Sequence, residues 1–159
     1  MAIPSASLAY RRSALMTATK VTTKAPSPEV LRARDDFKDF CVFMGKAPAK
    51  HMLEWHAELC TGEDSECLMG IGGPNTAILA PRGSAKSTVL GLFAAWMIGR
   101  HAAAKKMLRI LYIAYMVDIS RAKSATIKGI LTSNKYREVF PMVRLSKIKR
   151  SDEYWSIDY

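Results

Sequence analysis

Acids are missing where bases are plentiful. No Asp or Glu precedes Glu29, and none lies between Cys67 and Val117. With 24 Lys and Arg against 14 acids, the 159-residue chain carries a formal charge of +10. From Glu29 to Glu66 acids outnumber bases, whereas from Arg100 to Arg150 only Asp118 and Glu138 oppose a long series of Lys and Arg. A bias confined to one half predicts a docking face for an anionic partner, either nucleic acid or an acidic membrane surface.

Cysteine is scarce. Cys41, Cys60 and Cys67 are an odd number without paired spacing, which excludes a disulfide framework and suggests free thiols in a reducing compartment. His51, His56, Cys60 and Cys67 are metal-capable, and His56 and Cys60 share a helix face. No recognised ligand spacing supports zinc, however. No nucleophile–His–acid set emerges from spacing. Long apolar runs are lacking too. The most apolar stretch, residues 88–99, falls well short of the roughly 20 residues a bilayer needs, so no membrane span is expected. There is no internal repeat. The length suits one domain with a real core, and 49% apolar with 24% charged residues is ordinary globular composition.

Residues 1–28 are rich in Ala, Ser and Thr, carry four bases and end in Pro-Ser-Pro. That composition overlaps with an organelle transit peptide, but nothing downstream suggests an organelle, and the segment reads as a flexible basic arm. Residues 29–44 predict a short amphipathic helix, broken at 45–48. A second helix over 51–60 places Met52, Trp55 and Leu59 on one face, and glycines mark 61–74 as a loop.

Beyond it the pattern sharpens. Residues 76–80 predict a short strand entering a Gly-Ser-Ala-Lys turn, and 89–98, apolar almost all round, a buried helix. Residues 109–116, RILYIAYM, have the β-branched and aromatic content of a strand buried on both faces. Residues 118–131 predict an amphipathic helix with Ile119, Ala122, Ile127, Ile130 and Leu131 inward. Strand, helix, strand, helix is the grammar of a parallel sheet. The expected fold class is therefore α/β over 29–159: an incomplete three-layer parallel sheet flanked by helices, with a short helical N-terminal region, and of the P-loop NTPase type once the Gly-Ser-Ala-Lys turn is counted.

The chemistry centres on residues 80–88, APRGSAKST. A phosphate-binding loop needs small residues so that successive backbone N–H groups turn inward around a phosphate. It also needs a Lys for the β/γ oxygens and a Ser or Thr for Mg²⁺, with a helix N-terminus behind them. Gly83, Ser84 and Ala85 are the small residues, Lys86 the cation, Ser87 the magnesium ligand, and Thr88 opens the helix. Ala80 and Ala85 depart from the generic pattern of glycines. Arg82 inside the loop reads either as a group that stabilises charge on a transferring phosphoryl group, as arginine fingers do, or as a surface Arg pointing to solvent. Arg121, Lys128 and Lys135, spaced by sevens, read either as a row of phosphate contacts or as a solvated face, and Lys147, Lys149 and Arg150 form a second such cluster.

The stretch APRGSAKST resembles the deviant phosphate loop of the large terminase subunits of tailed bacteriophages, where an Arg stands inside the loop before a small-small-Lys-Ser/Thr run. The helix ending near 96–98, the stretch RILYIAYMVDISRA and the downstream KYREVFP are similar to that family's ATPase domain. So is the segment with Trp55 and His56, which in the family lies near the adenine. The resemblance covers roughly residues 40–159.

It implies the ATP-binding part of the motor that packs double-stranded DNA into the capsid. The expected cofactors are ATP and Mg²⁺, with Lys86 and Arg82 catalytic. Arg82, Gly83, Ser84, Ala85, Lys86, Ser87, Thr88, Trp55 and His56 would contact nucleotide, and Ser87 would hold Mg²⁺. Implied partners are double-stranded DNA, the portal protein and a small terminase subunit, in a homo-oligomeric ring in the cytoplasm of the infected bacterium. The family's Asp-Glu after an apolar strand, its coupling motif and its nuclease carboxylates have no counterpart here; Asp118 is the one look-alike. The chain accordingly reads as a fragment, split-gene product or truncated copy that alone hydrolyses ATP poorly. Alternatives are a helicase-like P-loop ATPase and a truncated, non-catalytic nucleotide-binding module.

Overall fold

The computed structural model describes residues 25–59 and 77–159. Six helices run in order: α1 (Pro28–Asp35), α2 (Phe37–Phe43), α3 (Lys50–Leu59), α4 (Lys86–Ala103), α5 (Val117–Thr132) and α6 (Asn134–Val139). They are followed by an antiparallel hairpin of β1 (Arg144–Arg150) and β2 (Trp155–Asp158), with Arg144 opposite Asp158 and Arg150 opposite Trp155. The basic arm lies outside the described residues but for its last four positions, as does the loop over 61–74.

Local signals set the helix ends. Ser27 caps α1, accepting from the Val30 N–H at 3.4 Å, and Pro28 occupies the first turn, where its missing N–H costs nothing. The helix expected over 29–44 is divided at Asp36. This residue leaves helical geometry (φ −118°, ψ 129°), ends α1 through its own N–H to the Arg32 carbonyl, and starts α2 by accepting from the Asp39 N–H at 2.8 Å. Ser133 does the same between α5 and α6: its hydroxyl donates to the Ile130 carbonyl at 2.7 Å and accepts from the Tyr136 N–H.

The core lies where α1, α2, α4 and α6 meet. Phe37, Phe40, Trp96, Tyr136, Val139 and Phe140 are its fully buried large side chains. Two of its aromatic side chains carry polar groups that are paired. The Trp96 indole N–H donates to the Ala33 carbonyl at 3.3 Å, and the Tyr136 hydroxyl to the Ala95 carbonyl at 2.9 Å. Arg34 donates twice to the Val139 carbonyl, at 2.9 and 3.2 Å, tying α1 to the end of α6. Phe140 lies directly on Gly99 of α4, so close that a Cβ there would overlap the ring.

The α/β expectation is overturned. Among the described residues there is no parallel sheet, and the only strands are β1 and β2. Residues 77–80 and 109–116 form no strand, although 109–116 has the composition of one. A strand buried on both faces needs neighbours to receive its backbone hydrogen bonds and cover its side chains. No described strand adjoins these segments, and Leu79, Leu111, Ile113 and Tyr115 are at least 80% exposed. Within α5 the inward set is Ile127 and Leu131, with Ile130 half-buried; Ala122, expected inside, faces solvent.

Candidate phosphate-binding site

Residues 81–86 form a tight turn feeding α4. The Ser84 N–H and hydroxyl both donate to the Pro81 carbonyl, at 3.4 and 2.9 Å. Gly83 has φ +86° and Ala85 has φ +56°, ψ 17°. The second value matters, because the generic motif places Gly at the residue before the Lys. The backbone there is left-handed, and Ala adopts it at a cost of about 1 kcal/mol. The position where the motif has Gly is thus an Ala in a conformation that Gly would adopt without strain.

Helix α4 starts at Lys86 rather than Thr88, with Ala85 as its N-cap residue. No side chain caps it and no acid stands in its first turn. Its opening N–H groups and the positive end of its dipole are therefore available to an anion. Lys86 folds back across the turn, its ammonium donating to the Ala80 carbonyl at 3.4 Å. Arg82, Ser87 and Thr88 are exposed.

From α3, His51 reaches this turn: its Nε2 lies 3.4 Å from the Ser84 carbonyl, and its ring stands edge-on to Trp55 at 4.9 Å. Trp55 is thus linked to the loop through His51, a residue the sequence suggested only as a possible metal ligand. Spacing could have found it, because His51 and Trp55 are four apart on one helix face. His56 turns toward the core, stacking on Phe37 at 4.6 Å and meeting Phe93 and Trp96 edge-on. Burial lowers its pKa; the Asp36 carboxylate opposes that shift and Arg100 adds to it.

Magnesium prefers oxygen ligands and keeps several waters, so a hydroxyl and two phosphate oxygens can suffice for part of its shell. The exposed Ser87 hydroxyl beside Lys86 fits that part. No acid stands in the first turn of α4 beside it, and no group of three His, Cys, Asp or Glu side chains gathers among the described residues. Asp118 is 83% exposed and pairs with Arg121 on its own helix at 3.7 Å.

The cations spaced by sevens are occupied within the chain. Arg121 pairs with Glu153 at 2.6 Å, and Lys128 with Asp152 at 2.9 Å and the Ser151 carbonyl at 3.2 Å. Lys135 donates to the Phe43 carbonyl at 3.2 Å, closing the C-terminal end of α2. Lys147 and Lys149 are exposed on β1, with Lys149 5.7 Å from the Tyr154 ring centre.

No family model, curated protein or solved structure matches this chain. No described helix is long and apolar enough to cross a membrane.

Proposed function

We propose that the turn over 80–88 binds the phosphates of ATP, and that the chain is the ATP-binding part of a phage DNA-packaging motor. One observation carries the reading: left-handed backbone at Gly83 and Ala85 leads directly into the uncapped start of an 18-residue helix, with Lys86 folded over the turn. The opening N–H groups of a helix, its dipole and a nearby ammonium together support a polyphosphate cradle, with Lys86 exchanging the Ala80 carbonyl for a phosphate oxygen. The Ser87 hydroxyl would hold Mg²⁺, which when bound neutralises charge between the β- and γ-phosphates. Arg82, exposed on the same turn, would meet the γ-phosphate, and Trp55, positioned through His51, would cover the base. DNA, portal protein and a small subunit in a ring, in the cytoplasm of an infected bacterium, complete the proposal, supported by the terminase-like loop and the basic second half.

Binding without efficient hydrolysis is the second reading, favoured because no acid stands in the first turn of α4 and no ion pair among the described residues involves Lys86. Titration of a fluorescent ATP analogue, run beside phosphate release, separates the two. Lys86→Ala should weaken analogue binding at least tenfold while far-UV circular dichroism stays unchanged. Equal binding by the two proteins would remove the phosphate-loop reading. Rapid phosphate release from the chain alone would instead remove the non-catalytic one.

A further inference from the structure

Residues 67–159 contain fifteen Lys and Arg against five acids, so this part of the chain accounts for the whole formal charge of +10. Two of the five acids, Asp152 and Glu153, are adjacent in the β1–β2 turn, and both are spent on α5. Arg121 and Lys128 stand two turns apart on that helix, about 10 Å along its axis, which equals roughly three 3.4 Å steps of one DNA strand. The turn lies over them. Glu153 takes Arg121 at 2.6 Å, Asp152 takes Lys128 at 2.9 Å, and between them the Trp155 indole N–H donates to the Ser124 hydroxyl at 2.8 Å.

The two carboxylates are bound but not buried, with 65% and 73% of their side-chain surface open to solvent. Partnered Lys128 holds the Asp152 carboxyl below its usual range, chiefly by hydrogen bonding. The Arg121–Glu153 pair is open on both sides, so it contributes little to folding and yields readily to competing anions; the Lys128–Asp152 pair is open on its carboxylate side only, with 15% of the Lys128 side chain reaching solvent. The hairpin itself has other anchors, since Leu145, Trp155 and Ile157 pack on the core.

We infer that the α5 face bearing Arg121 and Lys128 is a contact surface for the phosphate backbone of double-stranded DNA, and that Asp152 and Glu153 cover it in the free protein as stand-ins for phosphates. Duplex DNA displaces the acidic tip, and the exchange of carboxylate for phosphate sets a threshold that weak polyanion contacts do not cross. This extends the DNA-binding part of the proposed function and uses nothing of the phosphate loop.

Fluorescence anisotropy with a labelled 20-base-pair duplex, in a salt series and without nucleotide, tests it. In the wild-type chain, each of the two cations exchanges one anionic partner for another. In D152N/E153Q they meet DNA uncovered and release counterions. The double variant should therefore bind on the order of tenfold more tightly at 100 mM salt, with a slope of log K against log salt steeper by about two. Glu153→Gln alone should give part of the gain. E138Q/D158N adds the same charge at acids that form no ion pair among the described residues, and it should give much less. In an R121Q/K128Q background, D152N/E153Q should give no more than the small gain of E138Q/D158N. Equal gains from both acid pairs, or a full gain that survives in that background, would overturn the inference while leaving DNA binding intact. Absence of duplex binding by every variant would overturn it together with the DNA-binding part of the proposed function.

Discussion

Two glycines of α4 should respond to the same substitution with opposite signs. Gly91 and Gly99 are both buried in the helix interior, where replacing Gly by Ala raises helix propensity by about 1 kcal/mol. A Cβ at Gly91 meets nothing within 4 Å. A Cβ at Gly99 overlaps the Phe140 ring, and that ring is held between Phe40 and Tyr136 at centroid distances of 6.3 and 5.3 Å. Phe140 is fully buried and cannot swing into solvent, so the added methyl must push the ring into its aromatic neighbours. Overpacking of this sort costs about 1–3 kcal/mol, and loss of the Phe140 contacts altogether, about 3–5 kcal/mol, sets the ceiling. Gly99→Ala should therefore lose up to about 2 kcal/mol net and lower the melting temperature by up to about 8 °C, whereas Gly91→Ala should raise it by up to about 4 °C. Thermal melts followed at 222 nm read both. In a Phe140→Ala background the obstacle is gone, and Gly99→Ala should become neutral or stabilising. A Gly99→Ala protein as stable as Gly91→Ala would refute the packing argument, and an unchanged cost without Phe140 would refute the assignment to that ring.

Ala85→Gly should stabilise the chain by up to about 1 kcal/mol, measured by urea denaturation, because Gly accepts φ +56° without a Cβ penalty; the greater freedom Gly has when unfolded offsets part of this. A clear loss of stability would mean that the left-handed turn is not the ground state. Burial pushes the Cys41 thiol up to about 12, with Asp36 adding to the shift. Cys41 should therefore resist iodoacetamide at pH 8 in the folded protein and react once the chain is unfolded in urea, as mass mapping of the modified peptide would show; rapid native labelling would contradict its buried place. The depressed pKa of His56 means that the unfolded state takes up its proton first. Stability is full above the unfolded-state pKa of about 6.5 and declines as pH falls through it toward the lower folded value. His56→Phe should flatten that decline in urea midpoints between pH 7.5 and 5.5, and an identical pH slope in the two proteins would show that His56 is not its source.

Much of the helical framework was legible because helices are specified by near neighbours. The all-round apolar stretch at 89–98 became α4, and the periodic stretch at 118–131 became α5, each within a few residues of its expected ends. The break at Asp36 was legible in principle, since Asp followed three residues later by another acid is a capping signal, but apolar periodicity ran through it. Residues 109–116 misled for the opposite reason. Their composition is that of a strand, yet a strand exists only by pairing, and no described segment pairs with it.

The phosphate-binding turn divides in the same way. Its small residues, its Lys and the helix behind it follow from the sequence, because all lie within a few positions of one another. That Ala85 takes the left-handed conformation, and that His51 comes from α3 to meet Ser84, could be read only from the folded chain.

Charge shows the division most sharply. The excess of bases in the second half, and the spacing of Arg121 and Lys128 on one helix stripe, are properties of the sequence alone. Whether those cations face solvent, DNA or the chain's own acids is not. Their partners lie 24 and 32 residues away, and only the return of the β1–β2 turn over α5 brings Asp152 and Glu153 to them. Hydrogen bonds four residues apart are written into local sequence; ion pairs, aromatic packing and sheet pairing wait for the tertiary structure to decide which distant groups meet.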